Sequence, residues 1–289
     1  MNEHLWRVYQ LARSKAAVHP MVREQLSSLT ACLASRSGAT DQLCVAAGDL
    51  FQLAGELAFN ANRHTDAAAS YSLAASASKE SAAFDLWACA LVRHAYVEMA
   101  GGGYGEATGL LHAAGQLAMR GDSSLSTRQW VASVEAEAYA GLGDLRACER
   151  ALAEAEKVLD LDDHGHNAGW LRFDGSRLAE ERGARYVRLG RLDLAEAALL
   201  SALREGALAQ GQSLRRRGAV LADLAAIGAR RHDPEQVVAY GGEAVRLARE
   251  SSSGYVARRL RGLQVEIGAL AKDHRVAELG VDIAALSTT

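Results

Sequence analysis

Residues 160–174 read DLDDHGHNAGWLRFD, and within them Asp160, Asp162, Asp163, His164 and His166 crowd together. Carboxylates and imidazoles at such spacing could hold zinc, manganese or iron, with the His-x-His pair supplying two ligands. Ligands gathered in one loop fix no coordination geometry, however, and no H-E-x-x-H helix or second His/Asp helix pair accompanies them. The stretch therefore reads as a solvated connection between helices, in which Asp162 or Asp163 could cap the helix that follows. Serines and histidines elsewhere are scattered, without G-x-S-x-G or a comparable nucleophile signature. No catalytic residue, metal or cofactor is expected.

Two further stretches invite chemistry and lose it on inspection. GGGYGEATG at 101–109 is rich in glycine. Phosphate-cradling loops follow a strand and carry a lysine, whereas here a helical pattern precedes and no lysine is near, so the glycines read as a turn at a helix end. Arg215, Arg216 and Arg217, and then Arg258, Arg259 and Arg261, form basic runs. Aromatic residues do not interleave them as base stacking would require, so solvated helix faces or contacts to acidic groups are expected rather than nucleic acid.

These residues must be positioned by helices. The 289 residues are 49% hydrophobic and 23% charged but only 6% aromatic, with 2 prolines. That mixture suits closely packed helices and fits poorly with sheet interiors. The formal net charge of −3 provides no field towards nucleic acid. Cys32, Cys44, Cys89 and Cys148 show no paired spacing and sit in apolar helical patterns, so a reducing, cytoplasmic setting is expected. The opening residues lack the apolar core of a signal peptide, and no membrane span is expected.

Small residues recur at Ala67, Ala107, Cys148 and Ala195, with Val237 in a fifth copy, at intervals of about forty residues. Seven positions beyond each lies an alanine: Ala74, Ala114, Ala155, Ala202 and Ala244. A turn, often with glycine, precedes each small residue. Such a period, with two helices per unit, predicts stacked helix pairs, because one pair cannot bury its apolar face alone. Seven pairs are expected in one domain, roughly 3–34, 41–78, 81–119, 124–159, 170–208, 212–250 and 254–286. Pro20 and the Asp233-Pro234-Glu235-Gln236 segment mark helix starts.

Gly55, Ala67, Tyr71 and Ala74, and likewise Gly183, Tyr186, Gly190, Ala195 and Ala202, resemble the tetratricopeptide repeat. The family's closing proline is absent and the units exceed the usual length of about 34 residues. The resemblance implies an all-α solenoid wound as a right-handed superhelix, whose first helices line a concave groove. Carried over by position, the groove residues are Asp49, Gln52, Glu56, Phe59 and Asn60 in the first copy, and Val92, Tyr96 and Met99 in the second. Trp130, Ser133 and Glu137 follow in the third, and Arg177, Glu180 and Arg188 in the fourth. Amides that grip main-chain groups and arginines that grip carboxylates suit a peptide or a polar small molecule.

LWRVYQLARSKAAVHPMVREQLSSLTACL, QLAGELAFNANRHTDAAASYSLAASAS, GLGDLRACERALAEAEKVL and YVARRLRGL resemble the repeat-bearing sensor region of bacterial Xre-type helix-turn-helix regulators. So does an acidic loop leading into Trp170 and Phe173, which by this likeness dock the start of the next helix. The chain opens on the repeats without the DNA-binding part of those regulators. The expectation is a non-enzymatic binding module, a regulatory sensor relaying to a protein partner or to transcriptional control. The resemblance further implies a homodimer through the C-terminal repeats. A constitutive protein scaffold is the alternative, followed by a biosynthetic enzyme of this fold using residues 160–166.

Overall fold

Alanine and leucine at helical spacing, with proline confined to two positions, give a chain with little reason to form strands. The computed structural model describes residues 2–12, 14–35, 40–161, 169–171, 173, 177–204, 206–209, 211, 213–251 and 253–286, and among them all regular structure is helical. The protein is all-α, as expected. No helix among the described residues is long and apolar enough to cross a membrane.

Contacts divide the chain into two compact units, Met1–Gly175 and Ser176–Thr289. The first holds α1 (Glu3–Leu11), α2 (His19–Ala34), α3 (Thr40–Asn60), α4 (His64–Glu80), α5 (Phe84–Ala100), α6 (Tyr104–Ala118), α7 (Thr127–Gly141) and α8 (Leu145–Glu156). Here α3 pairs with α4, α5 with α6 and α7 with α8, while α3 also packs on α5 and α5 on α7. The second unit holds α9 (Leu178–Arg188), α10 (Leu192–Arg204), a short α11 (Gly206–Ala209), α12 (Leu214–Arg230), α13 (Pro234–Ser251), α14 (Gly254–Glu266) and α15 (His274–Ala285). There α9 pairs with α10 and α12 with α13, α12 packs on α14, and α13 on α15.

Five of these pairs are built on one register. Ala67, Ala107, Cys148, Ala195 and Val237 are all fully buried, and so are Ala74, Ala114, Ala155 and Ala244 two turns on, with Ala202 nearly so. Across from them, small residues of the preceding helix are buried as well: Gly55, Ala95, Ala136, Gly183 and Ala225. Four positions past the anchor the first four pairs carry a buried bulky residue, Tyr71, Leu111, Leu152 and Leu199, whereas the fifth has Gly241, against which Leu279 packs. A Cβ placed on Gly183 would come within 2.5 Å of Leu199, and one on Gly55 would overlap the Tyr71 ring. The small residues are therefore spacers that set how closely two helices approach.

The turns repeat with the same fidelity. Asn62, Gly102, Gly143, Gly190 and His232 each have positive φ, five residues before the buried anchor of their pair. At each turn the next amide reaches back to a carbonyl of the helix just ended: Arg63 to Ala58, Gly103 to Glu98, Asp144 to Tyr139, Arg191 to Tyr186 and Asp233 to Gly228, all 2.9 Å. This left-handed closing residue satisfies carbonyls that the helix end would otherwise orphan. The following helix is then capped where the chemistry allows: Asp144 accepts from the amide of Ala147 at 2.9 Å and Asp233 from that of Gln236 at 3.0 Å.

Two substitutions test this register. Gly55→Ala should lower stability by about 1–3 kcal/mol despite alanine's better helix propensity, because the buried Tyr71 ring has nowhere to move. His232→Gly should raise it by about 1 kcal/mol by relieving a left-handed backbone at a residue with a Cβ. Denaturant melts of both variants against the parent measure each sign.

Candidate functional site

The segment Phe84–Ala100 is almost wholly apolar, and Arg93 sits within it on the buried side, 5% exposed. A guanidinium out of water needs partners, since its desolvation costs several kcal/mol, roughly, when they are missing. Arg93 finds them on three other helices and on a segment outside any helix. Its Nε donates to Glu56 Oε1 at 3.2 Å and its Nη1 to Gln52 Oε1 at 2.6 Å, both on α3. Nη2 donates to the main-chain carbonyl of Trp170, and Nη1 also approaches the carbonyl of Cys89 at 3.5 Å. The guanidinium carbon lies 4.8 Å from the ring centre of Trp130 on α7 and 5.4 Å from that of Trp6 on α1. All three nitrogens are thus engaged, and two indoles present their electron-rich faces to the charge.

The ring of partners is itself braced. Glu56 accepts from Tyr71 at 3.3 Å, and Tyr9 lies 3.5 Å from its other oxygen. Gln52 donates to the carbonyl of Leu86 at 3.0 Å, which fixes its amide so that its oxygen faces Arg93. Trp6 donates its indole N–H to Asp49 at 2.6 Å, and the side chain of Asn2 donates to the carbonyl of Ala46 at 2.7 Å. These bonds hold α1 against α3. Lys15 closes the end of α1 by donating to the carbonyls of Tyr9, Gln10 and Ala12, at 2.5, 3.1 and 2.9 Å.

The residues predicted to line a groove are placed as follows. Gln52, Glu56 and Trp130 converge on Arg93. Phe59 stacks on His64, their ring centres 5.5 Å apart. Asn60 is buried, its carbonyl oxygen without a hydrogen-bond partner. Tyr96 is half-buried, and Met99 belongs to the apolar core between α5, α6 and α7. Ser133 is fully buried and Glu137 half-buried. Val92 is core, and Asp49 supports Trp6 rather than Arg93 directly. Arg177, Glu180 and Arg188 belong to the second unit. There Glu180 is chelated by Arg216, while Arg188 is exposed.

The arginine runs of the second unit are largely tied to carboxylates of neighbouring helices. Arg217 meets Glu243 at 3.1 Å, Arg230 meets Glu266 at 2.7 Å, Arg231 meets Glu196 at 2.6 Å, and Arg259 holds Asp223. Arg215, Arg258 and Arg259 also gather round the ring of Tyr255, at 4.8, 5.6 and 5.5 Å. The Asp/His stretch lies, except for Asp160, outside the described residues. Among the described residues no group of three His, Cys, Asp or Glu side chains could hold a metal ion.

Arg93 and Trp6 carry most of the site and were not among the predicted groove residues. The signal for Arg93 is its setting, WACALVRHAYV, where a lone arginine interrupts the buried stripe of an apolar helix. Nothing local flags Trp6, whose partner on α3 is 43 positions away. The chain matches no protein-family profile and no curated protein sequence.

Burial raises the carboxyl of Asp49 above its ordinary value of 3.8, outweighing the hydrogen bonds from Trp6 and Asn2 and the charge of Arg93, which act the other way. The folded state thus holds this proton more tightly than the unfolded chain. The stability it contributes is complete below the unfolded value and is lost as pH rises through the folded one. Asp49→Asn keeps an acceptor for Trp6 but cannot ionise. The variant should therefore melt higher than the parent at about pH 7 and show no such advantage at about pH 3; thermal melts across that range decide it.

Proposed function

We propose that the chain is a non-enzymatic binding module of the tetratricopeptide kind, its helix pairs stacked as a right-handed solenoid, that takes an extended peptide against α3, α5 and α7. The constancy of register and turn across five pairs supports the solenoid reading, as does the side-by-side packing of α3, α5 and α7. In this reading the inward surface of those first helices is the working face. The resemblance to the sensor regions of Xre-type regulators supports a regulatory role, in which peptide binding is relayed to a protein partner or to transcription.

One observation carries the peptide reading: the buried Arg93, in cation–π contact with Trp6 and Trp130, holds a main-chain carbonyl from a segment outside the helices. Main-chain carbonyls are common to every peptide, and a charged donor fixed by Glu56 and Gln52 grips them more strongly than a neutral one. The flanking indoles offer apolar walls for neighbouring side chains. Main-chain recognition of this type gives affinity, and the walls give preference for sequence.

The test is selection of displayed random heptapeptides on the immobilised protein, followed by affinity measurement with Arg93→Lys. Lysine keeps the charge but loses the planar fork and its contact with both indoles. Enriched peptides whose binding falls at least tenfold in the folded variant are the expected result. Enrichment no better than on a blank surface, or peptides that bind both proteins equally, would overturn the reading.

A further inference from the structure

The connection between α8 and α9 takes in residues 161–177. The 3-10 turn after α8 ends at Asp160 and α9 begins at Leu178, whereas α4 and α5 are joined through residues 81–83 alone. The α8–α9 connection crosses the boundary between the two units, and residues 169–171 and 173 belong to the first. The described part of this one is not an exposed loop. Leu171 and Phe173 are 1% and 2% exposed, and the half-buried Trp170 packs against the apolar cluster to which Trp6, Tyr9 and residues of α3 belong. Gly169 has φ +109°, and a Cβ there would lie 2.5 Å from Trp6. The backbone thus runs so close to the indole that only glycine fits.

Arg93 receives the carbonyl of Trp170 in this same place, 77 residues along the chain. The described residues of the segment therefore present what a bound peptide would: a non-helical main chain, a carbonyl on the central guanidinium, an aromatic side chain against an apolar cluster, and two further apolar side chains out of water. We propose that Gly169, Trp170, Leu171 and Phe173 are a resident peptide, and that the cognate ligand is an extended peptide of the same chemistry which displaces them. This rests on the peptide reading of the Arg93 site and adds its regulation and ligand class. That class is an aromatic residue following glycine, with aliphatic and aromatic residues after it.

The energetics give the device a threshold. A tethered segment competes at an effective concentration of order millimolar. The apparent affinity for an outside peptide is lowered by the fraction of time the site is closed. Only a ligand that makes more of the same contacts, or is abundant, opens it. Release of the segment is then a discrete change that a partner could read.

The experiment uses the full chain and a labelled synthetic peptide of residues 168–174. Trp170→Ser/Leu171→Ser/Phe173→Ser removes the resident contacts, while Gly169→Ala expels the segment by its clash with Trp6 and leaves the helix cores intact. Circular dichroism establishes folding and fluorescence anisotropy reports binding. Either folded variant should bind the peptide at least tenfold more tightly than the parent, and adding Arg93→Ala should abolish the gain. A peptide with Trp replaced by glycine should bind more weakly. Folded variants that bind no more tightly than the parent would overturn the proposal. So would the failure of both variants to fold, which would make the segment plain core. Should selected heptapeptides bind the parent through Arg93 while the 168–174 peptide gains nothing in either variant, self-occupation fails and peptide recognition stands. Should no peptide bind any form, both fall.

Discussion

The structure depends on how closely two helices can approach. Within each unit the helix pairs pack against one another, and the distance between two helices is set by side-chain size at the crossing. Alanine or cysteine faces alanine or glycine at that point in four of the pairs, and valine faces alanine in the last. A single larger residue, such as Tyr71 or Leu199, fills the gap beside it. The low aromatic content follows from this. Bulky rings at every layer would hold the helices apart and cost the dispersion contacts that make such packing worthwhile.

Within that packing, Arg93 is an expense that needs explaining. Burying a guanidinium stabilises nothing by itself, and an apolar residue of equal volume would often serve a helix bundle better. What Arg93 contributes is specificity of arrangement. Its partners lie on α1, α3, α7 and the 169–173 segment, so one side chain demands that four separate parts of the first unit meet in one geometry. The cation–π contacts, about 0.5–2 kcal/mol each, and the charge-assisted bonds to Glu56 offset the desolvation. A rigid, satisfied cation beside non-helical main chain is a costly element for a helical core.

The second unit uses arginine differently. Its ion pairs join helices that pack on one another, at half-exposed positions, as in Arg217 with Glu243 and Arg230 with Glu266. Each such pair adds at most about 1 kcal/mol. Their value lies in register, because a one-turn slip of a helix would separate every pair at once. The clustering of Arg215, Arg258 and Arg259 on Tyr255 crowds like charges, and together with burial this lowers the affinity of Arg258 for its proton.

What the sequence determined by itself was local and periodic: helices throughout, small residues at fixed intervals, and turns five positions ahead of each anchor. These are legible because they depend on neighbours within one or two turns, where propensity, capping and the left-handed closing residue act. That Gln52 and Glu56 lie on one face of their helix was legible for the same reason, because residues four apart are neighbours on a helix surface. Only the tertiary structure decided that they converge with Trp130 on Arg93, that Trp6 from the first helix adds a second cation–π contact, and that Trp170 supplies the carbonyl. Those contacts join residues 37 to 87 positions apart along the chain. Periodicity specifies the face of a helix but not what lies across from it, because the partner is chosen by how the whole unit packs.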